Sequence, residues 1–225
     1  MILAFIQIKG GVGKTTLAVN LTVERILRGK RDVLLIDADD QGTASDFVTL
    51  RAEKLGSAGF VAIPIAGPEL RERVLEMRKR FDDIVIDVGG RDSAALRAAL
   101  TVADLAVLPF QPRSFDIWTI DKMAALVAEA QGINPALQAV AVINCADASG
   151  SDNQAAAEAL KDSDPIRYLD APIRRRKAFA NGAALGLSVL ETSPRDTKAR
   201  DEILALADHL VALTEKKKKK GGKSS

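Results

Sequence analysis

One cysteine, one tryptophan, one tyrosine and one histidine in 225 residues remove several chemistries at once. The lone thiol of Cys145 excludes a disulfide framework, a Cys-x-x-Cys zinc site and an iron–sulfur cluster. It reads instead as a small apolar residue near a strand end. His209 falls on the polar side of the last helical pattern, without partners for a metal or a catalytic group, and takes no role. Aromatics make up only 4% of a chain that is 47% hydrophobic, so the core is built of Ala, Val, Leu and Ile. That composition suits a parallel sheet covered by helices on both faces. No apolar run approaches the roughly 20 residues that cross a bilayer. The first strand candidate begins at residue 2, with neither a leader nor a helix-turn-helix segment ahead of it, and the expectation is a cytoplasmic protein.

The formal charge of +2 conceals an asymmetry. Residues 216–225 hold Lys216 to Lys220 and Lys223 and no acid, which leaves 26 basic and 30 acidic side chains for the body. A mildly acidic domain over 1–214 therefore carries a basic tail over 215–225. With nothing apolar to bury, the tail is expected to be disordered.

Short apolar runs alternate with helical patterns, as in repeated βα units. Strands are expected at Ile2–Gln7, Val33–Asp37, Phe60–Pro64, Ile84–Val88, Leu105–Pro109 and Ala139–Asn144. Helices are expected near 15–28, 43–54, 68–80, 92–102, 115–131, 152–162, 174–181 and 196–214. In the last of these Ile203, Leu206, Ala207, Leu210 and Leu213 share one face, a stripe for packing on the body. No repeat or interior linker divides the chain, so the fold class is a single α/β domain with a doubly wound, mostly parallel sheet.

Between the first strand and the first helix lies Lys9-Gly10-Gly11-Val12-Gly13-Lys14-Thr15-Thr16. A glycine turn opening a helix at Gly-Lys-Thr lets successive backbone N–H groups converge on phosphate oxygens. Lys14 would neutralise the β- and γ-phosphates and the Thr15 hydroxyl would reach Mg²⁺. Residues 10–16 are thus the candidate nucleotide cradle. The strict G-x-x-x-x-G-K-[ST] pattern fails, because Ile8 holds the position of its first glycine. Lys9 is a second lysine in a loop where one suffices to hold phosphates.

K-G-G-x-G-K-T-T resembles the deviant Walker A motif of the ParA/MinD family of P-loop ATPases, and the likeness extends from residue 1 to about 213. The resemblance implies that Lys9 crosses a dimer interface to the partner's nucleotide, as a catalytic group. Leu34-Leu35-Ile36-Asp37-Ala38-Asp39-Asp40-Gln41-Gly42 is similar to the family's switch I segment, D-x-D-P-Q-G, with Asp40 in place of the proline. It implies Asp37 near the magnesium and Asp39 as the residue that positions the attacking water. Phe81 to Asp87 resembles the Walker B strand, with Asp87 holding a magnesium-bound water. The following Val88-Gly89-Gly90-Arg91-Asp92 resembles a glycine-containing switch II loop. There Gly90 or a neighbour could offer an N–H to the γ-phosphate. Arg91 reads as a surface ion-pair partner in preference to an arginine finger.

Leu108 to Asp116, with two prolines followed by Ser114 and Asp116, is similar to a family segment at the dimer face. Trp118 beyond it suits a core or an interface equally. Asn144 ends a late strand where relatives contact the adenine edge, and Pro172 lies in a loop similar to the one that lines the base. Arg174, Arg175, Arg176 and Lys177 are either a solvated face or the place of non-specific DNA contacts. The tail lysines could add weak phosphate contacts or serve only solubility.

The resemblance implies a ParA-type partition ATPase without an N-terminal DNA-binding domain. ATP and Mg²⁺ would draw two copies into a homodimer that binds DNA without sequence preference and sits on the nucleoid. A cargo-linked adaptor would stimulate slow hydrolysis. Plasmid or chromosomal DNA is the first expected cargo, with a protein organelle or cluster as the alternative. A MinD-like membrane-surface role is disfavoured, because nothing after Leu213 is apolar enough to insert.

Overall fold

The computed structural model describes residues 1–29, 31–112, 119–149 and 151–221. The expected helix start at 115–118, the segment Arg113-Ser114-Phe115-Asp116, Trp118 and the final 222–225 with Lys223 lie outside the described residues.

Each expected apolar run forms a strand, in chain order β1 Ile2–Phe5, β2 Val33–Ala38, β3 Val61–Pro64, β4 Asp83–Val88, β5 Leu105–Phe110 and β6 Gln138–Ala146. Two short strands follow, β7 Ile166–Tyr168 and β8 Ile173–Arg174. The sheet is parallel throughout, in the order β3-β2-β4-β1-β5-β6-β7, with β8 also paired to β6. The helices are α1 Lys14–Gly29, α2 Thr43–Leu55, α3 Leu70–Met77, α4 Ala94–Leu100, α5 Ile120–Ile133, α6 Asp152–Lys161, α7 Lys177–Ala183 and α8 Thr197–Gly221. A single 3₁₀ turn, Gly67–Glu69, leads into α3.

Alternation along the strands divides the core in two. Ile2, Ala4, Ile84 and Ile86 face a layer made by α3, α4, α5 and α6, which contribute Leu70, Leu96, Met123 and Leu160. Leu3, Phe5 and Val85 face α1, α2 and α8, which contribute Leu17, Phe47 and Leu206. Burying Ile203, Leu206 and Leu210 of α8 contributes about 1.5–3 kcal/mol for each side chain, and all three are at most 1% exposed. The stripe therefore docks the last helix as its spacing requires.

Past Glu215, where the sequence suggests disorder, α8 continues through Lys216–Lys220 to Gly221. Lysine is a good helix former, and extending an anchored helix avoids a new nucleation cost. The helix runs from beside the carboxyl ends of the strands to their amino ends. Glu202 touches Arg174 at the end of β8, whereas the Leu213 carbonyl accepts from Gln138 at the start of β6. In this topology the strand order reverses around β1, and ligands of such sheets bind beyond the carboxyl ends at the reversal.

Candidate nucleotide and magnesium site

The loop after β1 holds its shape through glycine. Gly13 has φ +89°, and a Cβ there would lie 2.2 Å from Asn144 Nδ2. That nitrogen donates to the Val12 carbonyl at 2.7 Å, so the late strand β6 braces the cradle from below. Gln111, just after β5, donates its side-chain amide to the Gly11 carbonyl at 2.8 Å. The sequence suggests an adenine contact for Asn144 and no role for Gln111; in the structure each donates a side-chain N–H to a loop carbonyl.

Lys14 and Thr15 open α1. The Lys14 side chain is buried and its Nζ donates to the Lys9 carbonyl at 3.2 Å. Burial lowers the Lys14 pKa, while the nearby carboxylates of Asp87 and Asp39 act to raise it. A cation held in a low-dielectric loop with acids behind it is suited to receive phosphate charge. Lys9 is half-buried, its carbonyl engaged by Lys14 and its Cα–C segment beside the switch II loop.

Parallel registration places the acids together. Asp37 pairs with Asp87 across β2 and β4, and Phe5 pairs with Asp87 across β1 and β4. Asp87 is fully buried, and both its carboxylate oxygens lack hydrogen-bond partners. Burial pushes its pKa up to about 7. The Thr15 hydroxyl and Lys14 oppose that rise, and Asp37 and Asp39 add to it. The Thr15 hydroxyl is near enough to act on the carboxyl without reaching hydrogen-bond geometry. A buried, orphaned carboxylate beside a helix-opening threonine fits a hydrated Mg²⁺, which takes few protein ligands and keeps several waters. Thr15 and Asp87 are the residues that would hold the ion, which supplies charge neutralisation for phosphoryl transfer when bound.

Asp37 is placed nearby but is already engaged. Its Oδ2 accepts from the Ser45 N–H at 2.8 Å and the Ser45 hydroxyl at 2.7 Å, and its Oδ1 accepts from the Asp39 N–H at 3.2 Å. Ser45 was not singled out from the sequence, since a serine in a first helical turn is common. Asp39 turns its loop upon itself, accepting from the Gln41 N–H at 3.1 Å through Oδ1. A Cβ on Gly89 would meet that same oxygen at 3.0 Å, so switch II lies against Asp39. A Cβ on Gly90 would lie 2.7 Å from the Gly10 Cα, so only glycine fits where switch II crosses the cradle. The three loops converge on one spot beyond the carboxyl ends of β1, β2 and β4.

Pro172 directly precedes Ile173, which pairs with Asn144 across β6 and β8. It lines a cleft with Ile143, Gln154, Tyr168, Asp170 and Arg174, beside the strand end that braces the cradle. A cleft of about 820 Å³ lies at the other end of the sheet, walled by Arg25, Arg31, Arg78 and Asp104. There Arg25 and Arg31 share the single carboxylate of Asp83 and Arg78 pairs with Asp104, and the phosphate-loop residues lie at the opposite end of the sheet.

The basic run is partly neutralised. Glu202 of α8 accepts from Arg174 Nη1 at 3.1 Å, from Arg176 Nη2 at 2.6 Å and from the Arg174 N–H at 3.0 Å. Burial acts to raise the Glu202 pKa, but Arg176 and Arg174 outweigh it and hold the carboxyl below its ordinary value. Arg175 and Lys177 stand exposed.

Residues 3–189 match the family described as CobQ/CobB/MinD/ParA nucleotide binding domain. The chain is 25% identical over 213 residues to maintenance of carboxysome distribution protein A of Halothiobacillus neapolitanus, covering 93% of this chain and 95% of the relative. It is 29% identical over 163 residues to the chromosome-partitioning ATPase Soj of Thermus thermophilus, covering 60% of this chain and 65% of that one. Among solved structures, a Cyanothece McdA(D38A)–ATP complex superposes with TM-score 0.75 at 17% identity, covering 93% and 95% of the two chains. With that family model matched over residues 3–189, the chain belongs to the ParA/MinD family of P-loop ATPases, an ATP hydrolase with ATP and Mg²⁺ as cofactors.

Proposed function

We propose that this chain is a positioning ATPase whose ATP-bound homodimer binds DNA non-specifically and is released when a cargo-linked adaptor stimulates hydrolysis. The observation that carries this reading is the pair of lysines in one loop. Lys14 is buried with its Nζ held at the carbonyl of Lys9, as the ammonium of its own chain's cradle, and Lys9, half-buried at the start of the loop, is assigned to the phosphates of a second copy. Asp39 orients the attacking water, Asp37 supports the metal region through Ser45, and Asp87 and Thr15 hold the ion. Dimerisation doubles the cationic surface offered to DNA, so ATP state and attachment are coupled.

The cargo is a large protein assembly. A relative named for carboxysome distribution matches over almost its whole length, whereas the chromosome-partitioning relative matches over 65% of its own. DNA segregation is the second reading, favoured by that latter relative. Among the described residues no helix is long and apolar enough to cross a membrane. The attachment surface is DNA on the nucleoid, through Arg174 to Lys177.

Filter binding to unrelated DNA duplexes, with and without a slowly hydrolysed ATP analogue, tests the proposal. Binding should need the nucleotide, ignore sequence and fall with salt at a log–log slope of about −0.9 per phosphate contacted. Asp39→Ala should bind ATP and DNA while releasing little phosphate. Nucleotide-independent binding, or competition by anionic vesicles but not by DNA, refutes it.

A further inference from the structure

Arg91 and Asp40 depart from the motifs around them, and they find each other. The Arg91 guanidinium forms an ion pair with the Asp40 carboxylate, although 51 residues separate them. The neighbouring acid is not available to Arg91, because Asp92 is held by Arg97 through two bonds of 2.9 Å. The pair therefore ties the loop after β4 to the loop after β2. On one side of it Gly89 lies against the Asp39 carboxylate, and Gly90 against the backbone of Lys9 and Gly10. Behind it is a cavity of about 120 Å³ lined by Asp39, Asp40, Gly89, Arg91 and Ser93, with room for a few waters.

We propose that Arg91 and Asp40 form a positioning pair that holds the Asp39 loop in register with switch II during ATP hydrolysis. The inference rests on the reading of Asp39 as the residue that orients the water. Asp39 is carried on a short turn whose internal bonds are Gln41 N–H to its Oδ1 and Gly42 N–H to its carbonyl. A third bond, from the Asp39 N–H to Asp37 Oδ1 at 3.2 Å, ties the start of the turn to β2, and the ion pair adds a tie from Asp40 directly to switch II. Both side chains are exposed, so the pair adds little to global stability. A pair of this strength shifts a loop equilibrium by about twofold to fivefold, and its effect fades with salt.

The test measures ATP turnover and KM for Arg91→Ala, Asp40→Ala, the double alanine variant and the charge swap Asp40→Arg/Arg91→Asp. Asp39→Ala serves as the reference. Each single alanine variant should lose about twofold to fivefold in kcat with KM within about twofold of wild type and unchanged Tm. The double variant should lose no more than either single one, because both remove the same interaction. The swap should recover most of the loss. At 500 mM salt, wild-type turnover should fall towards that of the single variants.

Singles that turn over like wild type, beside an inactive Asp39→Ala, overturn the pair and leave the Asp39 reading standing. A loss confined to Arg91→Ala also overturns it, since Arg91 would then act on phosphate directly. Normal turnover by Asp39→Ala removes the reading on which the pair depends, and the pair with it.

Discussion

Asn144 and Val12 lie 132 residues apart, and the Asn144 carboxamide donates to the Val12 carbonyl across 2.7 Å. The same nitrogen occupies the space that a Cβ on Gly13 would need. The end of β6 thus sets the height of the phosphate loop. Asn144→Ala should weaken ATP and GTP alike by about tenfold, since a lost buried hydrogen bond costs about 1–3 kcal/mol. Titration calorimetry with both nucleotides decides the matter. A loss for ATP alone would instead support the adenine-edge role of Asn144.

Lys14→Ala should abolish nucleotide binding, because the cradle is built around one buried ammonium. Lys9→Ala should keep binding near wild type yet lose ATP-dependent association of two copies. Light scattering with a slowly hydrolysed analogue separates the two. Equal association of Lys9→Ala and wild type would remove the cross-interface role.

Glu202 suppresses the charge of Arg174 and Arg176. Glu202→Gln should therefore raise DNA affinity and steepen the salt slope by about one to two, as up to two further phosphate contacts become available. Replacing Arg174, Arg175, Arg176 and Lys177 together by alanine should do the opposite. Filter binding across a salt series measures both. An unchanged slope in Glu202→Gln removes the basic run from the DNA surface.

Asp83 is fully buried at the start of β4, 2.8 Å from both Arg25 Nε and Arg31 Nε. Burial acts to raise its pKa, but the two arginines outweigh that and hold it below the ordinary value. The stability contributed by the ionised form is then present above the unfolded pKa of about 3.9 and lost as pH falls through the lower folded value. Asp83→Asn should cost about 3–5 kcal/mol at pH 7, by leaving arginine charge without its partner. Urea titrations at pH 7 and at pH 3 should show the gap shrinking in acid. A gap independent of pH contradicts the ion-pair account.

The six longer strands and the phosphate loop are legible from the sequence, because continuous apolar runs and a glycine–lysine turn are local signals. Strands β7 and β8, three and two residues long, are not, since so few residues display no period. Asp37 and Asp87 can be found as strand-end acids, but their alignment is a matter of sheet register. Gln111, Ser45 and Glu202 carry no motif at all. Each is recognisable only by what it meets, the Gly11 carbonyl, the Asp37 carboxylate and two arginines. Arg91 stands out in the sequence, but its partner Asp40 lies in another loop.

Helix α8 spans the sheet from end to end. Its first turns border the nucleotide-facing rim, where Glu202 moderates two arginines, and Val211, Thr214 and Glu215 line the Arg25–Arg31 cleft at the opposite pole. Because Ile203, Leu206 and Leu210 seal the helix to the sheet between those points, it works as one strut. A displacement of the rim that carries Glu202 is therefore delivered to the far cleft, rather than being absorbed on the way.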